Sequence, residues 1–277
     1  MLETKNQLRD SISKVDAILE ILDARLPVAS GNPFVDKLAQ GKNRLKILNK
    51  TDLADPLITR LWLDYFNNDQ NIPAVAICGT HQSQTASALN DCVTKIQRNK
   101  ARKAKVMVVG IPNTGKSTIL NTLAGKKVAK TGNVPAVTRH QQRTSLKNHI
   151  DIYDTPGILW PVIEPMERAL TLAASGAISD TAIDYSEIAF FAGGLLLDRY
   201  PAQVLERYHF LKDLPRDASD LIEKIGKARG CLKKGGIINY QKASELFIRD
   251  LRSGKIGPIS FETPKDIESA NEKYETL

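Results

Sequence analysis

The chain has 277 residues, which is long enough for two domains, and its hydrophobic content of 42% is typical of a globular protein. Its formal net charge of +8 suits an acidic partner. The longest apolar run covers only ten residues, 188–197, which excludes a membrane span, and the polar residues after Met1 exclude a signal peptide. Three scattered cysteines exclude a disulfide framework and a zinc site. We therefore expect a cytoplasmic protein with reduced thiols.

Short apolar segments alternate with helical segments through the first part of the chain. Strands are predicted at 17–22, 45–48, 74–77, 106–109 and 150–153, and helices at 33–39, 56–66, 84–100 and 117–124. This alternation predicts an α/β fold with a mostly parallel sheet and helices on both faces.

The first polar motif is Asn49-Lys50-Thr51-Asp52, directly after the apolar run 45–48. It lies at the carboxyl end of a predicted strand, where open α/β sheets bind ligands. The Asp52 carboxylate can accept hydrogen bonds from both N1–H and the 2-amino group of guanine, an arrangement that adenine does not offer. The stem of Lys50 can lie on the base. Asn49, Lys50 and Asp52 are therefore predicted to bind a guanine base.

The most informative motif is G-x-x-x-x-G-K-S at residues 110–117. It falls between a predicted strand and a predicted helix, so backbone N–H groups and a helix N-terminus converge on an anion. Lys116 is expected to reach the β- and γ-phosphates, and the Ser117 hydroxyl to bind Mg²⁺. Further residues of this motif are predicted to contact the nucleotide: Asn113, Thr114, Gly115 and Thr118.

The third motif is Asp154-Thr155-Pro156-Gly157, after the strand 150–153. Asp154 is expected to hold Mg²⁺ through water, and the N–H of Gly157 to meet the γ-phosphate. Each motif alone is compatible with a surface turn. Three motifs after three strands predict a P-loop GTPase that binds GTP and GDP.

Helical spacing of apolar residues replaces the strand pattern toward the C-terminus. Helices are predicted at 188–200, 202–208, 218–229 and 240–252. We therefore predict a G domain at residues 1–178 and a small all-helical domain at residues 179–277.

The motif order differs from that of an ordinary GTPase, in which the phosphate loop comes first. Here the base motif precedes the phosphate loop, and the Asp154 motif comes last. This order predicts a circularly permuted G domain, which the fold tolerates when the joined ends lie close together. The segment after Asp154 then leads directly into the C-terminal part, to which it can pass a nucleotide-driven movement.

The positive charge is uneven. Residues 1–178 hold 24 Lys/Arg against 15 Asp/Glu, a net of +9, and residues 179–277 hold 15 against 16, a net of −1. Basic runs occur at 95–105, at 126–147 and, within the neutral C-terminal part, at 224–242. Any one run is compatible with a solvated helix face, but basic surface beside a nucleotide switch favours contact with the RNA backbone.

The chain resembles the circularly permuted GTPases of ribosome assembly, most closely the ribosome biogenesis GTPase A family. The resemblance covers nearly the whole chain and implies a cytoplasmic GTPase that acts on a late precursor of the large ribosomal subunit, contacts its rRNA, and uses Mg²⁺. It includes motifs outside the nucleotide site: Asp23-Ala24-Arg25 with Pro27, Asn32-Pro33, Lys130-Thr131-Gly132, Thr138, the continuation of the third motif to Pro161, Arg229-Gly230-Cys231-Leu232, Gly235-Gly236, Asn239-Tyr240 and Ser260-Phe261-Glu262.

The resemblance implies three residue roles. Thr138 matches the switch threonine that closes on Mg²⁺ and the γ-phosphate, which makes it, with Lys116, a predicted catalytic residue. Asn113 matches an asparagine that helps to hold K⁺ beside the phosphates, where a cation can neutralise charge as the γ-phosphoryl leaves. Ile158 stands where many GTPases carry a water-orienting Gln, so the catalytic group must come from elsewhere.

No general base is assigned. The Trp-Phe-Pro-Gly-His segment of family members has no counterpart in the residues from Met1 onward. His140 is a candidate substitute, although a solvated loop histidine is the simpler interpretation. We expect slow intrinsic turnover, nearer the ~10⁻⁴ to 10⁻² s⁻¹ of unassisted GTPases, and stimulation by the ribosome.

Two other functions stay open from the sequence. One is a scaffold that binds GTP structurally, hydrolyses little, and recognises RNA through its helical domain; like the GTPase, it is expected to be a monomer. The other is an ATPase or nucleotide kinase, which the motif Asn49–Asp52 disfavours.

Overall fold

The structure is a computed structural model of the 277-residue chain. It describes residues 9–39, 41–79, 81, 86, 103–127, 142–146, 150–154, 163–178 and 184–267. The chain divides into two compact units. The first comprises Met1–Thr51, Pro56–Trp160 and Glu262–Leu277, and the second comprises Asp52–Asp55 and Pro161–Phe261.

A six-stranded sheet forms the centre of the first unit. Its strands are β1 (Ala17–Asp23), β2 (Asn43–Asn49), β3 (Ala74–Ala76), β4 (Ala104–Val109), β5 (Gln142–Leu146) and β6 (Ile150–Asp154). Their order is β3-β2-β1-β4-β6-β5, and every neighbouring pair is parallel except β5 and β6. The predicted mostly parallel α/β sheet is confirmed. The antiparallel edge strand β5 was not predicted.

The described helices of the first unit include α1 (Pro27–Ser30), α2 (Pro33–Leu38), α3 (Pro56–Asp64), which continues into a π-helix at Tyr65–Asp69, and α4 (Lys116–Ala124). Three of them correspond to predicted helices, α1 was not predicted, and the predicted helix 84–100 lies outside the described residues.

The parallel strands at the centre of the sheet are buried on both faces, which explains why a segment such as Val106–Val109 is apolar at every position. One face packs against α4 through Ile119 and Leu123, and the other packs near α2 through Val35. Alternate strand residues point to opposite faces, so Val106 and Met107 belong to different clusters.

The strand register aligns the carboxyl ends of the parallel strands. Asp23 at the end of β1 pairs with Asn49 at the end of β2, and Val108 of β4 pairs with Asp154 at the end of β6. The sheet therefore brings the ends of β1 and β2 side by side, and does the same for β4 and β6.

The second unit is helical. It contains α5 (Met166–Ser175), α6 (Tyr185–Arg199), α7 (Pro201–Arg207), α8 (Ala218–Ala228) and α9 (Tyr240–Arg252). Helix α6 packs against the other four. Gly193 permits the close approach of α6 and α8, because a Cβ there would lie 3.1 Å from the Cβ of Ala218.

The second unit begins before the predicted domain boundary at residue 178. Helix α5 falls on the G-domain side of that boundary but packs against α6 and α9. The assignment of separate functions to residues 1–178 and 179–277 stays a prediction. Among the described helices, none combines the length and apolar character needed to cross a bilayer.

Candidate nucleotide-binding site

The phosphate loop joins β4 to α4, as its motif predicts. Two of its glycines are required by close approach. A Cβ at Gly110 would lie 2.6 Å from the backbone oxygen of Ile21 on β1. Gly115 has a left-handed φ of +94°, and a Cβ there would overlap the side-chain amide nitrogen of Asn49. Both positions therefore need glycine.

The N-terminus of α4 opens toward the loop. Gly115 occupies the N-cap position, and no side chain caps the helix there. The first N–H groups of a helix lack intrahelical acceptors and carry the positive end of the helix dipole, so this end can bind phosphate.

Lys116 begins this helix and is 9% exposed. Its Nζ donates a hydrogen bond to the backbone oxygen of Ile111 at 2.6 Å. The Thr114 hydroxyl donates to the same oxygen at 3.1 Å. The loop thus curls around an ammonium group and places a positive charge where phosphate oxygens are expected.

Asn49 connects the base motif to the phosphate loop. Its Nδ2 donates to the backbone oxygen of Thr114 at 2.7 Å, and its Oδ1 accepts from the backbone N–H of Gly79 at 3.0 Å. The side chain is 3% exposed. Two motifs that are 65 residues apart are therefore held by one buried amide.

We expect Gly115→Ala to weaken GDP binding by at least about tenfold. The new methyl group would displace the Asn49 side chain from the loop, and the left-handed φ at position 115 is unfavourable for alanine. Gly125→Ala is the matched control. Gly125 also has a left-handed φ, +63°, but nothing lies within 4 Å of its Cβ position. That variant is expected to lose only about 1 kcal/mol of stability and to bind GDP normally. Equal GDP affinity of the two variants, measured by fluorescent-nucleotide titration, would contradict this role of Asn49.

Lys50 and Asp23 form an ion pair at the adjacent ends of β1 and β2. Lys50 Nζ lies 2.8 Å from Asp23 Oδ2, and Arg25 Nη2 lies 2.8 Å from the same oxygen. Asp23 is 3% exposed. Burial by itself raises the pKa of Asp23, but the charges and hydrogen bonds of Arg25 and Lys50 outweigh burial and hold this pKa well below the usual range of a carboxyl.

This shift predicts a dependence of stability on pH. A carboxylate with a lowered folded-state pKa stabilises the fold above its unfolded pKa of about 3.9, and that stability is lost as pH falls toward the folded-state pKa. We expect the free energy of unfolding of the parent chain to exceed that of Asp23→Asn near neutral pH, and the difference to shrink below about pH 4. Denaturant titrations across this range test it, and a difference that does not change with pH would contradict it.

Other predicted site residues are placed less completely. Ser117 and Thr118 lie in the first turn of α4, and Asn113 adopts a left-handed φ of +60° in the loop. Asp52 is exposed and belongs to the second unit, although it follows Thr51 directly. The backbone of Asp154 ends β6, but its side chain, like Thr138, His140, Gly157 and Ile158, lies outside the described residues. Among the described residues no cluster of three His, Cys, Asp or Glu could hold a metal.

Sequence reasoning missed two features of this site. Nothing in the pattern showed that Asn49 bridges to the phosphate loop, because that contact depends on the tertiary fold. The pairing of Asp23 with Lys50 could have been predicted from the sequence. Both residues follow apolar runs, and these runs form neighbouring parallel strands.

Comparison with known proteins identifies the family. Residues 105–187 match a family model described as 50S ribosome-binding GTPase. The chain is 40% identical over 278 residues to ribosome biogenesis GTPase A of Priestia megaterium, covering 97% of this chain and 96% of that protein. It is 32% identical over 265 residues to ribosome biogenesis GTPase A of Thermotoga maritima, covering 96% and 92%.

A solved structure gives the same result. The crystal structure of GNP-bound YlqF from T. maritima matches with a TM-score of 0.65 and 30% identity, covering 95% of this chain and 98% of that chain. The mostly parallel sheet, the base motif ahead of the phosphate loop and the helical C-terminal part are those of a circularly permuted GTPase. The chain belongs to the ribosome biogenesis GTPase A family of circularly permuted GTPases.

Proposed function

We propose that this protein binds and hydrolyses GTP and acts as an assembly factor for the large ribosomal subunit in the cytoplasm. GTP binding is supported by the geometry of the phosphate loop. The loop encloses the ammonium group of Lys116, and the side chain of Asn49 in the base motif is hydrogen-bonded to the same loop. The names of the family's relatives support the ribosomal part. The chain works as a monomer in this proposal.

The base would be read by Asp52, with Asn49 and Lys50 beside it in the motif. The phosphates would meet the loop N–H groups, Lys116 and the first turn of α4, which includes Ser117 and Thr118. A guanine nucleotide fits this set better than an adenine nucleotide, because only guanine offers Asp52 two donors.

Mg²⁺ would be held by Ser117 together with Thr138 and Asp154. The Ser117 position at the start of α4 and the alignment of β6 beside β4 support this assignment. The ion would neutralise charge on the β- and γ-phosphates.

K⁺ would bind beside Asn113 and support loss of the γ-phosphoryl group. We expect GTP hydrolysis to be faster in KCl than in NaCl at equal ionic strength, and Asn113→Ala to remove the difference. Equal rates of the parent chain in the two salts would contradict the assignment.

Hydrolysis would depend on Lys116 and Thr138 and would be slow without the ribosome, because Ile158 cannot orient a water molecule. GTP would order the segments of Thr138 and Gly157, and the ordered form would bind pre-ribosomal RNA until hydrolysis releases it. Comparing RNA affinity in the GTP, GDP and nucleotide-free forms tests this gating. Equal affinity in all three would favour the scaffold function instead.

The basic hairpin, residues 229–238, is the described surface that best fits an RNA backbone. The bridge Leu232↔Ile238 closes it, and Gly235 and Gly236 turn its tip with φ of +86° and +77°. Its cations are exposed and form no ion pair among the described residues: Arg229, Lys233 and Lys234. By contrast, Lys224 lies 2.9 Å from Asp220.

We expect the variant Arg229→Ala/Lys233→Ala/Lys234→Ala to bind rRNA fragments more weakly, and its salt slope to fall by about one unit for each phosphate that the variant no longer neutralises. The control is Lys212→Ala/Lys255→Ala, which removes exposed lysines of the same unit outside the hairpin. Equal reductions of affinity in both variants would contradict a specific role of the hairpin.

A further inference from the structure

We propose that the outer face of α6 binds a cationic segment of a protein in the large ribosomal subunit. This outer face consists of Glu187, Phe190, Gly194 and Asp198, all of which are exposed. The inference rests on the proposed function, in which the chain binds the large subunit. It adds a protein partner to the RNA partner proposed for the basic hairpin.

The residues of the outer face lie along one side of the helix. They are three, four and four positions apart, which is the spacing that aligns side chains on one face. The opposite side of α6 is buried and includes Ile188, Ala192 and Leu196. Through this buried side α6 packs against the other helices of the second unit. The outer face is therefore left open to a partner.

Gly194 has no packing role within the second unit. A Cβ at Gly194 would meet no described atom within 4 Å, whereas the adjacent Gly193 is needed for the approach of α8. The backbone of Gly194 is helical, so its φ does not require glycine either. Glycine is among the residues that least favour a helix. A glycine that weakens α6 without serving its packing indicates that a partner approaches the helix backbone at this point.

Phe190 forms an apolar wall beside the gap at Gly194. It lies one helical turn before the glycine and is 38% exposed. Its ring makes an edge-to-face contact with Tyr240 at the start of α9, with the ring centroids 6.4 Å apart. The Tyr240 hydroxyl donates to Glu223 Oε2 at 3.5 Å. These contacts support the Phe190 ring, which offers an apolar surface next to an unobstructed stretch of helix.

The charge of the outer face determines the kind of partner. Glu187 and Asp198 flank the apolar residues, and neither forms an ion pair among the described residues. Asp198 lies in the last turn of α6, where the helix dipole disfavours a carboxylate. Arg199 is the next residue, and its Nη1 donates to the backbone oxygen of Phe261 at 3.3 Å. The outer face therefore presents negative charge that the helix itself does not need.

A cationic polypeptide matches this combination of charge and shape. Carboxylates repel the phosphates of RNA and attract the charged ends of lysine and arginine side chains. The aliphatic stems of such side chains pack well on apolar surface, here Phe190, while their charged ends reach Glu187 and Asp198. The absence of a side chain at Gly194 lets the partner's backbone come close to α6.

Gly194→Leu tests the gap on the outer face. The readout is the affinity of the chain, loaded with a non-hydrolysable GTP analogue, for purified large ribosomal subunits. Leucine favours a helix more than glycine does and has open space here, so Tm is expected to rise by about 2 °C. The same side chain fills the gap and is expected to weaken binding by at least about tenfold. Parent-like affinity overturns the inference.

Ser219→Leu is the matched control for Gly194→Leu. Ser219 is exposed on α8 of the same unit and lies outside the outer face of α6. This variant adds the same side chain at another helical position, and its affinity is expected to stay within about twofold of the parent. An equal reduction of affinity in both leucine variants overturns the inference, because added apolar surface then weakens binding wherever it is placed.

Glu187→Gln/Asp198→Asn tests the chemistry of the partner. Binding to large subunits is expected to weaken by about tenfold and to become less sensitive to salt, because two attractive charges are lost. For an RNA partner the same change removes repulsion and strengthens binding. The control is Glu206→Gln/Asp213→Asn, which removes exposed carboxylates elsewhere in the second unit and is expected to bind as the parent does. Unchanged or tighter binding of Glu187→Gln/Asp198→Asn overturns the inference.

Photocrosslinking from position 190 identifies the class of partner directly. Phe190→p-benzoylphenylalanine is bound to large subunits and irradiated, and the adduct is treated with ribonuclease and analysed by mass spectrometry. We expect a ribonuclease-resistant adduct with a peptide of a ribosomal protein that is rich in lysine or arginine. An adduct with rRNA overturns the inference. Absence of binding between the parent chain and large subunits overturns the proposed function, and the inference with it.

Discussion

Lys116→Ala is expected to weaken GTP and GDP binding by at least about 100-fold, because a buried charged donor to the phosphates is removed. The structure supplies the reason. Lys116 is 9% exposed and its Nζ lies within the loop, hydrogen-bonded to the backbone oxygen of Ile111, so its positive charge is already held at the predicted phosphate site. Titration with a fluorescent GDP analogue measures the reduction in affinity.

Lys105→Ala provides the control for Lys116→Ala. Lys105 lies on β4, the strand that leads into the phosphate loop, but its side chain is exposed. Its removal changes net charge equally and is expected to leave GDP affinity within about twofold of the parent. A Lys116→Ala protein that binds GDP as the parent does would mean that the loop is not a phosphate site.

Asp52→Asn is expected to reduce the preference for GDP over ADP by about 100-fold or more, because an amide cannot accept from both guanine donors. Binding of GDP should weaken while binding of ADP stays the same. The readout is the ratio of the GDP affinity to the ADP affinity. General damage to the fold would weaken binding of both nucleotides and would not lower this ratio selectively.

Asp64→Asn is the control for Asp52→Asn. Asp64 is an exposed carboxylate at the end of α3, outside the base motif. It is expected to leave the ratio unchanged. An unaltered preference in Asp52→Asn would show that the motif is misassigned and would revive the ATPase alternative.

The parallel part of the sheet could be predicted because its strands are buried on both faces. A run such as Val106–Val109 is apolar at every position, so it can be recognised as a buried strand without knowing which strands lie beside it. Strand β5 was not predicted because Gln142–Leu146 is mostly polar. It lies at the edge of the sheet, where its conformation depends on hydrogen bonding to β6 and not on burial.

The nucleotide motifs could be predicted because their chemistry is local. Gly110–Ser117 needs only a strand before it and a helix after it. The contacts that organise the motifs are long-range, as with Asn49 and Thr114, and no sequence period encodes them. The same holds for Glu262, which accepts from the backbone N–H groups of Val28 and Ala29 across more than 200 residues.

The division of the chain was harder to predict than its elements. Met166–Ser175 contains strong helix formers, but its helix belongs to the helical unit because of what it packs against. Asp52–Asp55 also joins that unit, where the Leu53 oxygen accepts from the N–H of Ile259 at 3.0 Å. The periodicity of apolar residues does not show which unit a helix or a segment packs into.

The most direct test of the proposed function is the rate of GTP hydrolysis in KCl buffer, with and without purified large ribosomal subunits and with Lys116→Ala as the blank. The proposed function predicts slow turnover alone and a rate at least about tenfold higher with the subunits. An equal rate with and without large ribosomal subunits would contradict it.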